Sequence, residues 1–134
     1  MIDIAGIKPE IEKLAKKYRL SMIVLFGSQV SGKTHPQSDF DFAFLSEKRM
    51  SLIGIARMQS VFIRKLKLKN LEMVDLKTAP PLLLKKVADE SILLYEKEPS
   101  LFADFKIYAY KYFMEAKKLL DLRKLSLDRF LQKV

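Results

Sequence analysis

The chain of 134 residues contains no cysteine. Disulfide bonds and thiolate metal sites are therefore excluded, and the composition agrees with a reducing cytoplasm. Long hydrophobic runs are also missing, since no uninterrupted apolar segment approaches the roughly 20 residues that a membrane span needs. The N-terminal stretch MIDIAGIKPEIEK carries acidic residues and no apolar segment of signal-peptide length. These absences predict a cytoplasmic protein that does not enter a membrane.

Acidic residues are few beside the basic ones, with 16 Asp and Glu against 25 Lys and Arg, for a net charge of +9. A basic surface attracts nucleic acid, nucleoside triphosphates or an acidic protein. The densest basic stretch runs from Arg64 to Lys69. We interpret it as the exposed C-terminal end of a helix, where cations suit the helix dipole, and a binding patch is the alternative.

The spacing of apolar residues predicts eight elements in the order α-β-β-α-β-α-β-α. Helices are expected over about 8–19, 50–68, 82–89 and from 101 toward 130, and strands over about 21–26, 39–45, 71–76 and 91–95. With 49% hydrophobic residues, the chain has enough apolar surface for one core. We therefore expect a single α/β (α+β) domain over 1–134, with its core at about 20–95 and a long C-terminal helix at about 100–131.

Two carboxylates follow a Gly-Ser turn at a characteristic distance. Gly27 and Ser28 end the first strand, and Asp39 and Asp41 stand two apart in SDFDFAFL. Side chains two apart on a strand share a face, and a buried carboxylate pair is costly unless a cation lies between them. Phosphate at the turn and a divalent metal at the aspartates indicate phosphoryl or nucleotidyl transfer. The alternative is an exposed strand end that happens to carry two acids.

A second motif overlaps this one. The segment GSQVSGKT over 27–34 fits the phosphate-loop pattern G-x-x-x-x-G-K-[ST] after a strand. In an ATPase of that type the Lys-Thr pair opens a helix, whose amides bind the phosphates. Here Pro36 disfavours helical geometry at His35, and the next strand begins within a few residues. We favour a one-turn helix over 29–31 that Ser28 caps and Gly32 ends.

These residues resemble the DNA polymerase beta-like nucleotidyltransferases: Gly27-Ser28, then Asp39-x-Asp41, and a later strand aspartate at Asp75. The small size narrows the resemblance to the minimal nucleotidyltransferases (MNT), with similarity over about 20–115. Proteins of this group are typically the antitoxins of HEPN–MNT toxin–antitoxin pairs. The resemblance implies a mixed β-sheet flanked by helices. It also implies transfer of AMP from ATP to a tyrosine of a HEPN ribonuclease toxin, which silences the toxin.

The resemblance also assigns roles to residues. It implies that Asp39, Asp41 and Asp75 hold Mg²⁺, with Asp75 also orienting or deprotonating the attacking hydroxyl; the alternative for Asp75 is a structural acid at a strand end. It implies that the nucleotide is bound by four residues: Gly27, Ser28, Ser31 and Lys33. His35 and Ser38 are interpreted as polar loop residues outside the catalytic set.

The chain departs from the family pattern in the phosphate loop. Family members often carry Ala-Arg-Gly where this chain has Val30-Ser31-Gly32. The positive charge near the phosphates is lost at Ser31, and Lys33, two residues on, is the candidate to replace it. The toxin's own signature, an Arg and a His four residues later, is absent, because the single histidine has no arginine at that distance.

Two other functions stay open at this point. One is an antitoxin that neutralises its toxin by binding alone, with weak catalysis because of Ser31. The other is a nucleotidyltransferase that acts on RNA or a small molecule, as the net charge permits. The last helix is expected to bury Tyr108 and Tyr112 and to expose Tyr110. Its apolar surface could support a homo-oligomer or a hetero-oligomer.

Overall fold

The computed structural model describes residues 4–27, 30 and 40–134. Within these ranges the α+β order predicted from the sequence is confirmed. The helices are α1 (Ile4–Lys17), α2 (Leu52–Leu66), α3 (Pro81–Asp89) and α4 (Leu101–Gln132), and the strands are β1 (Leu20–Phe26), β2 (Phe40–Ser46), β3 (Leu71–Asp75) and β4 (Ser91–Glu96). Val30 is helical, while the other residues of the proposed one-turn helix and its loop lie outside the described residues.

The four strands form one mixed sheet in the order β3-β2-β1-β4. β1 is antiparallel to both β2 and β4, whereas β2 and β3 are parallel. A parallel pair needs a crossover connection, which α2 supplies between β2 and β3. The mixed sheet implied by the family resemblance is therefore confirmed.

β1 lies inside the sheet and is covered on both faces. Every residue of LSMIVLF except Ser21 is buried. On one face, alternate strand residues pack with α1 and α2 in a cluster that includes Ile23, Phe42 and Phe62. On the other face, a cluster that includes Val24, Ala43 and Val87 packs against α3 and α4. A near-continuous apolar strand is what burial on both faces requires.

α2 has clear start and stop signals. The Ser51 hydroxyl accepts a hydrogen bond from the Gly54 N–H at 3.0 Å, and the helix ends at Lys67 in a left-handed conformation. Arg64 and Lys65 lie in the last turn, and both are exposed together with Lys67. The basic stretch is thus the exposed C-terminal end of a helix, where its charges oppose the helix dipole favourably.

An ion pair joins the segments that follow β2 and β4, at the end of the sheet where both strands finish. Lys97, just after β4, donates to the Glu47 carboxylate just after β2. This hydrogen bond lowers the pKa of Glu47 and raises the pKa of Lys97. Because both side chains are largely solvated, the pair contributes little to stability.

α4 was expected to bury Tyr108 and Tyr112, and this expectation is wrong. They are 57% and 42% exposed, and their rings stack on each other with centroids 5.9 Å apart. Only Phe105 and Ala109 of α4 are buried, because just that part of the helix packs into the cluster formed with α3 and the sheet. Tyr110 is exposed, as predicted.

No helix in the described ranges is long and apolar enough to cross a membrane.

We predict that Phe62→Ala lowers the free energy of unfolding by about 3–5 kcal/mol, because it empties a fully buried site. Phe62 is 0% exposed and packs edge-on against Phe42 at a centroid distance of 6.5 Å. Ile53→Ala on the same helix is the control, since Ile53 is 67% exposed and its truncation should cost less than about 0.5 kcal/mol. Urea denaturation followed by circular dichroism measures both changes.

Candidate active site

The site lies at the end of the sheet where β1 stops and β2 and β4 begin. Phe26, the last residue of β1, is in register with Asp41 on one side and with Ser91 on the other. These three residues share the sheet face that α3 and α4 cover further along. Asp41 is half-buried there, immediately beside the turn that follows β1.

Gly27 makes that turn possible. Its φ of 86° lies in the region that L side chains rarely adopt. A Cβ at this position would lie 3.2 Å from the Asp41 Cγ, and closer still to its Oδ2. The Gly27 carbonyl accepts the Val30 N–H at 3.1 Å, so the chain turns tightly back to the core. Glycine is therefore required both by the backbone and by the carboxylate against it.

A second carboxylate, which the sequence analysis missed, stands next to Asp41. β2 and β3 are parallel and place Asp41 in register with Glu72. The next pair on the same face, Ala43 and Val74, belongs to the cluster under α3 and α4. Glu72 itself is exposed. The two carboxylates therefore lie on adjacent strands and on one face of the sheet.

Asp75 occupies a different place. It is in register with Phe44, three residues along β3 from Glu72, or about 10 Å, and on the opposite face. The side chain is buried, and its Oδ1 accepts the Lys77 N–H at 3.0 Å in the turn after the strand. The structure therefore does not bring Asp75 together with Asp41, and the acid stabilises a turn instead.

The strand pattern contained a signal for this arrangement. In LEMVD, Leu71 and Met73 are buried core residues, so period-two alternation puts Asp75 on their face and Glu72 on the other. The other predicted site residues, Ser28, Ser31, Lys33 and Asp39, lie outside the described residues, as do His35 and Ser38.

The chemistry of the carboxylates present fits a hard divalent cation. Two adjacent anionic side chains repel each other, and oxygen donors are the ligands that Mg²⁺ prefers. Among residues 4–27, 30 and 40–134, no group of three or more metal-ligating side chains forms. Within the described ranges, Asp41 and Glu72 are two oxygen donors that fit such a cation, and Mg²⁺ commonly takes its remaining ligands from water and phosphate.

The basic end of α2 lies at the same end of the sheet. The carbonyl of Asn70 accepts the Phe40 N–H at 3.5 Å, which ties the loop after α2 to the start of β2. Lys67 and Lys69 in this loop are exposed. Cations beside a carboxylate pair raise the local concentration of polyanions such as a triphosphate.

A pocket opens further along the face of the sheet that carries Asp41. It has a volume of about 450 Å³ and is bordered by Leu45, which lies four residues, or about 13 Å, beyond Asp41 on β2. Its lining is mostly apolar and comes from β2, the segment after β3, α3 and α4: Leu45, Leu76, Lys77, Ala79, Leu84, Leu101, Asp104, Phe105, Tyr108 and Tyr112. The exposed tyrosine pair therefore forms one wall of a pocket.

Comparison with protein families finds one match. Residues 9–100 match the model of the family described as polymerase beta, nucleotidyltransferase. This range includes every element from α1 to β4 except the first turns of α1. No curated protein sequence matches the chain.

Solved structures share the fold over nearly their whole length. A chain from a toxin–antitoxin crystal structure with AMP-PNP is 25% identical, with a TM-score of 0.70 over 92% of this chain and 98% of that one. A complex of a tri-AMPylated Shewanella oneidensis HEPN toxin with an MNT antitoxin contains a chain that is 21% identical, with a TM-score of 0.67 over 96% and 99%. A chain from an MntA–HepT toxin–antitoxin structure is 22% identical, with a TM-score of 0.66 over 95% of this chain and 98% of that one.

We predict that Gly27→Ala lowers the free energy of unfolding by about 2 kcal/mol, through backbone strain and overlap with Asp41. Gly54→Ala is the matched control, because that glycine lies in α2 without backbone strain and its Cβ would meet the end of a small side chain, the Ser51 Oγ at 3.1 Å. Its effect should stay within about 1 kcal/mol. Equal stability of the two variants in urea would contradict the role given to the turn.

Proposed function

Because the chain belongs to the polymerase beta nucleotidyltransferase family, we propose that it is an MNT antitoxin that transfers AMP from ATP to a tyrosine of a HEPN toxin. The observation that carries this proposal is the register of Asp41 with Glu72, beside the glycine turn after β1. This arrangement supports a metal and phosphate site of the kind that nucleotidyl transfer needs.

The related complexes support the choice of substrate. One toxin–antitoxin relative was crystallised with AMP-PNP, an analogue of ATP. In another complex the HEPN toxin is tri-AMPylated and bound to its MNT antitoxin. Since this chain spans nearly the whole of both relatives, we infer the same class of nucleotide and the same class of protein partner.

The phosphate loop would hold the triphosphate. Gly27 would let the backbone approach a phosphate, and the Ser28 hydroxyl would donate a hydrogen bond to it. Ser31 and Lys33 complete the loop, with Lys33 supplying the charge that the family pattern places at position 31. Lys67 and Lys69 add to the positive field at this end of the sheet.

The metal-binding set we propose is Asp39, Asp41 and Glu72. The two carboxylates in register fit Mg²⁺, and Asp39 is the neighbouring acid of the motif. When bound, Mg²⁺ neutralises the charge that develops on the phosphate oxygens during transfer. Asp75 is omitted from this set, because it faces the other side of the sheet.

The transfer then needs one proton acceptor and one leaving group. The tyrosine oxygen forms a bond to the α-phosphorus of ATP as the bond between that phosphorus and the bridging oxygen breaks. Pyrophosphate leaves with the electron pair, and the phenolic proton passes to a carboxylate. Glu72 is our candidate for this base, because it is exposed beside Asp41 and can meet an incoming side chain.

Ser31 supports a second candidate function. Without an arginine at this position the phosphate site is weaker, and an antitoxin could neutralise the toxin by contact alone. The two functions differ in whether neutralisation needs ATP, Mg²⁺ and the carboxylates. Intact-mass analysis of the toxin therefore separates them.

We predict that Asp41→Asn lowers AMP transfer by at least about a hundredfold, because it removes a ligand of the proposed Mg²⁺, the ion that stabilises charge on the reacting phosphate. Purified protein is incubated with Mg²⁺, ATP and the cognate HEPN toxin, and the toxin is then weighed by mass spectrometry. We expect a gain of AMP mass with the natural chain and with the control Asp104→Asn, whose carboxylate borders the separate pocket. Full turnover by Asp41→Asn would overturn the proposal. A stable, silenced toxin without added mass would establish the binding-only antitoxin.

Glu72→Gln and Asp75→Asn test the choice of the third carboxylate. We expect Glu72→Gln to reduce transfer at least about tenfold without loss of stability, because its side chain is exposed. Asp75→Asn should retain transfer and lower the free energy of unfolding by about 1 kcal/mol, through its turn contact. The reverse pattern would restore Asp75 to the metal site.

A further inference from the structure

α4 continues far beyond the body of the protein. With 32 residues it is about 48 Å long, yet its buried residues, Phe105 and Ala109, lie within the first three turns. From Lys117 to Val134 every residue is exposed. Long helices in water owe most of their stability to the packing of an apolar face. An apolar face on this half of α4 would therefore be stabilised by packing against another molecule.

The buried face of α4 continues into the exposed half. Starting at Ala109, positions separated by alternating steps of four and three residues follow one line along the helix: Ala109, Phe113, Ala116, Leu120, Arg123, Leu127 and Phe130. Of the large apolar members, Leu120, Leu127 and Phe130 are 63%, 56% and 62% exposed. This seven-residue repeat is the pattern of a helix that pairs with another helix. We call the line from Phe113 to Phe130 the α4 seam.

Arg123 interrupts the seam. It stands three residues after Leu120 and four before Leu127, so its side chain projects from the centre of the apolar line. In this repeat the positions that flank the seam carry Lys117 and Lys124, both on one edge, and no acidic residue. The seam is thus apolar with a positive charge at its centre and positive charges along one edge.

This charge pattern selects against a second copy of the chain. If two α4 helices paired about the middle of their seams, two Arg123 side chains would meet within an apolar interface. Burying like charges without a counter-ion is strongly unfavourable. A different helix with a carboxylate at that position would turn the same arginine into a buried ion pair, which fixes register and partner choice.

We propose that the α4 seam binds a helix of a second protein, one that sets an Asp or Glu against Arg123 and has acidic residues along one edge. The identification of this protein as the HEPN toxin rests on the proposed function. Arg123 would then be the residue that distinguishes the toxin from another copy of the antitoxin.

The first test concerns the chain alone, by sedimentation equilibrium. We expect the natural chain to be monomeric and Arg123→Leu, which completes the apolar seam, to self-associate at least about tenfold more tightly. A stable dimer of the natural chain would show that a second copy covers the seam. An Arg123→Leu variant as monomeric as the natural chain would show that Arg123 does not prevent pairing. Either result would overturn the proposal.

The second test measures binding to the cognate HEPN toxin by calorimetry. Arg123→Glu should weaken the complex at least about tenfold, whereas Arg129→Glu, with the same charge change on the far side of the helix, should weaken it less than about twofold. Circular dichroism checks that both variants keep their helix, and Arg123→Gln provides a milder change. Equal losses in both variants would indicate general attraction to a polyanion such as RNA or an anionic membrane, and would overturn the proposal.

The two proposals can fail separately. If the toxin gains AMP but binds the Arg123→Glu variant with the same affinity as the Arg129→Glu variant, the proposed function stands and the α4 seam is not the binding surface. Loss of binding in Arg123→Glu alone, with no AMP mass on the toxin, would keep the seam and leave a binding antitoxin.

Discussion

The close contact between the Gly27 backbone and the Asp41 carboxylate constrains the rest of the site. A strand buried on both faces ends at this point. The next residue has a left-handed backbone and lies against the Asp41 carboxylate, so that it cannot carry a side chain. Phe26 fixes the register of β2 on one side and β4 on the other, so the position of Asp41 follows from the pairing of the central strands. The parallel β3 then brings Glu72 alongside. The geometry of the carboxylates is thus a property of the whole sheet.

Local patterns in the sequence were sufficient to predict the helices and strands. They were not sufficient to predict how distant strands pair. The continuous apolar run of β1 and the helical stripe of α2 depend on the period of the sequence, and both lie where it indicates. Val-Asp-Leu resembles the family motif and therefore points to Asp75, whereas the carboxylate that lies beside Asp41 is decided by the register between β2 and β3. Tyr108 and Tyr112 follow the apolar spacing of α4. They are exposed because, of the α4 residues, only Phe105 and Ala109 are buried in the cluster formed with α3 and the sheet.

The proposed chemistry and the proposed recognition use different parts of this chain. The carboxylates lie at one end of the sheet, on residues that the strand pairing holds in place. The α4 seam lies on a helix whose last half extends away from the sheet. A change of partner would therefore alter the helix and leave the carboxylates unaffected, while loss of catalysis would leave the binding surface intact. An antitoxin that neutralises by binding alone could arise from this architecture by a few substitutions near the phosphate loop.

The crossover between the two parallel strands has a consequence for the time at which the site appears. Asp41 and Glu72 are separated in the chain by the whole of α2, so their strands can pair only across a crossover that includes that helix. Pairings between distant segments form slowly, because the loop-closure entropy must be overcome first. The two carboxylates are therefore side by side only when the fold is complete. A partly folded chain has the residues of the motif without the pair of carboxylates, and so lacks the metal site proposed for them.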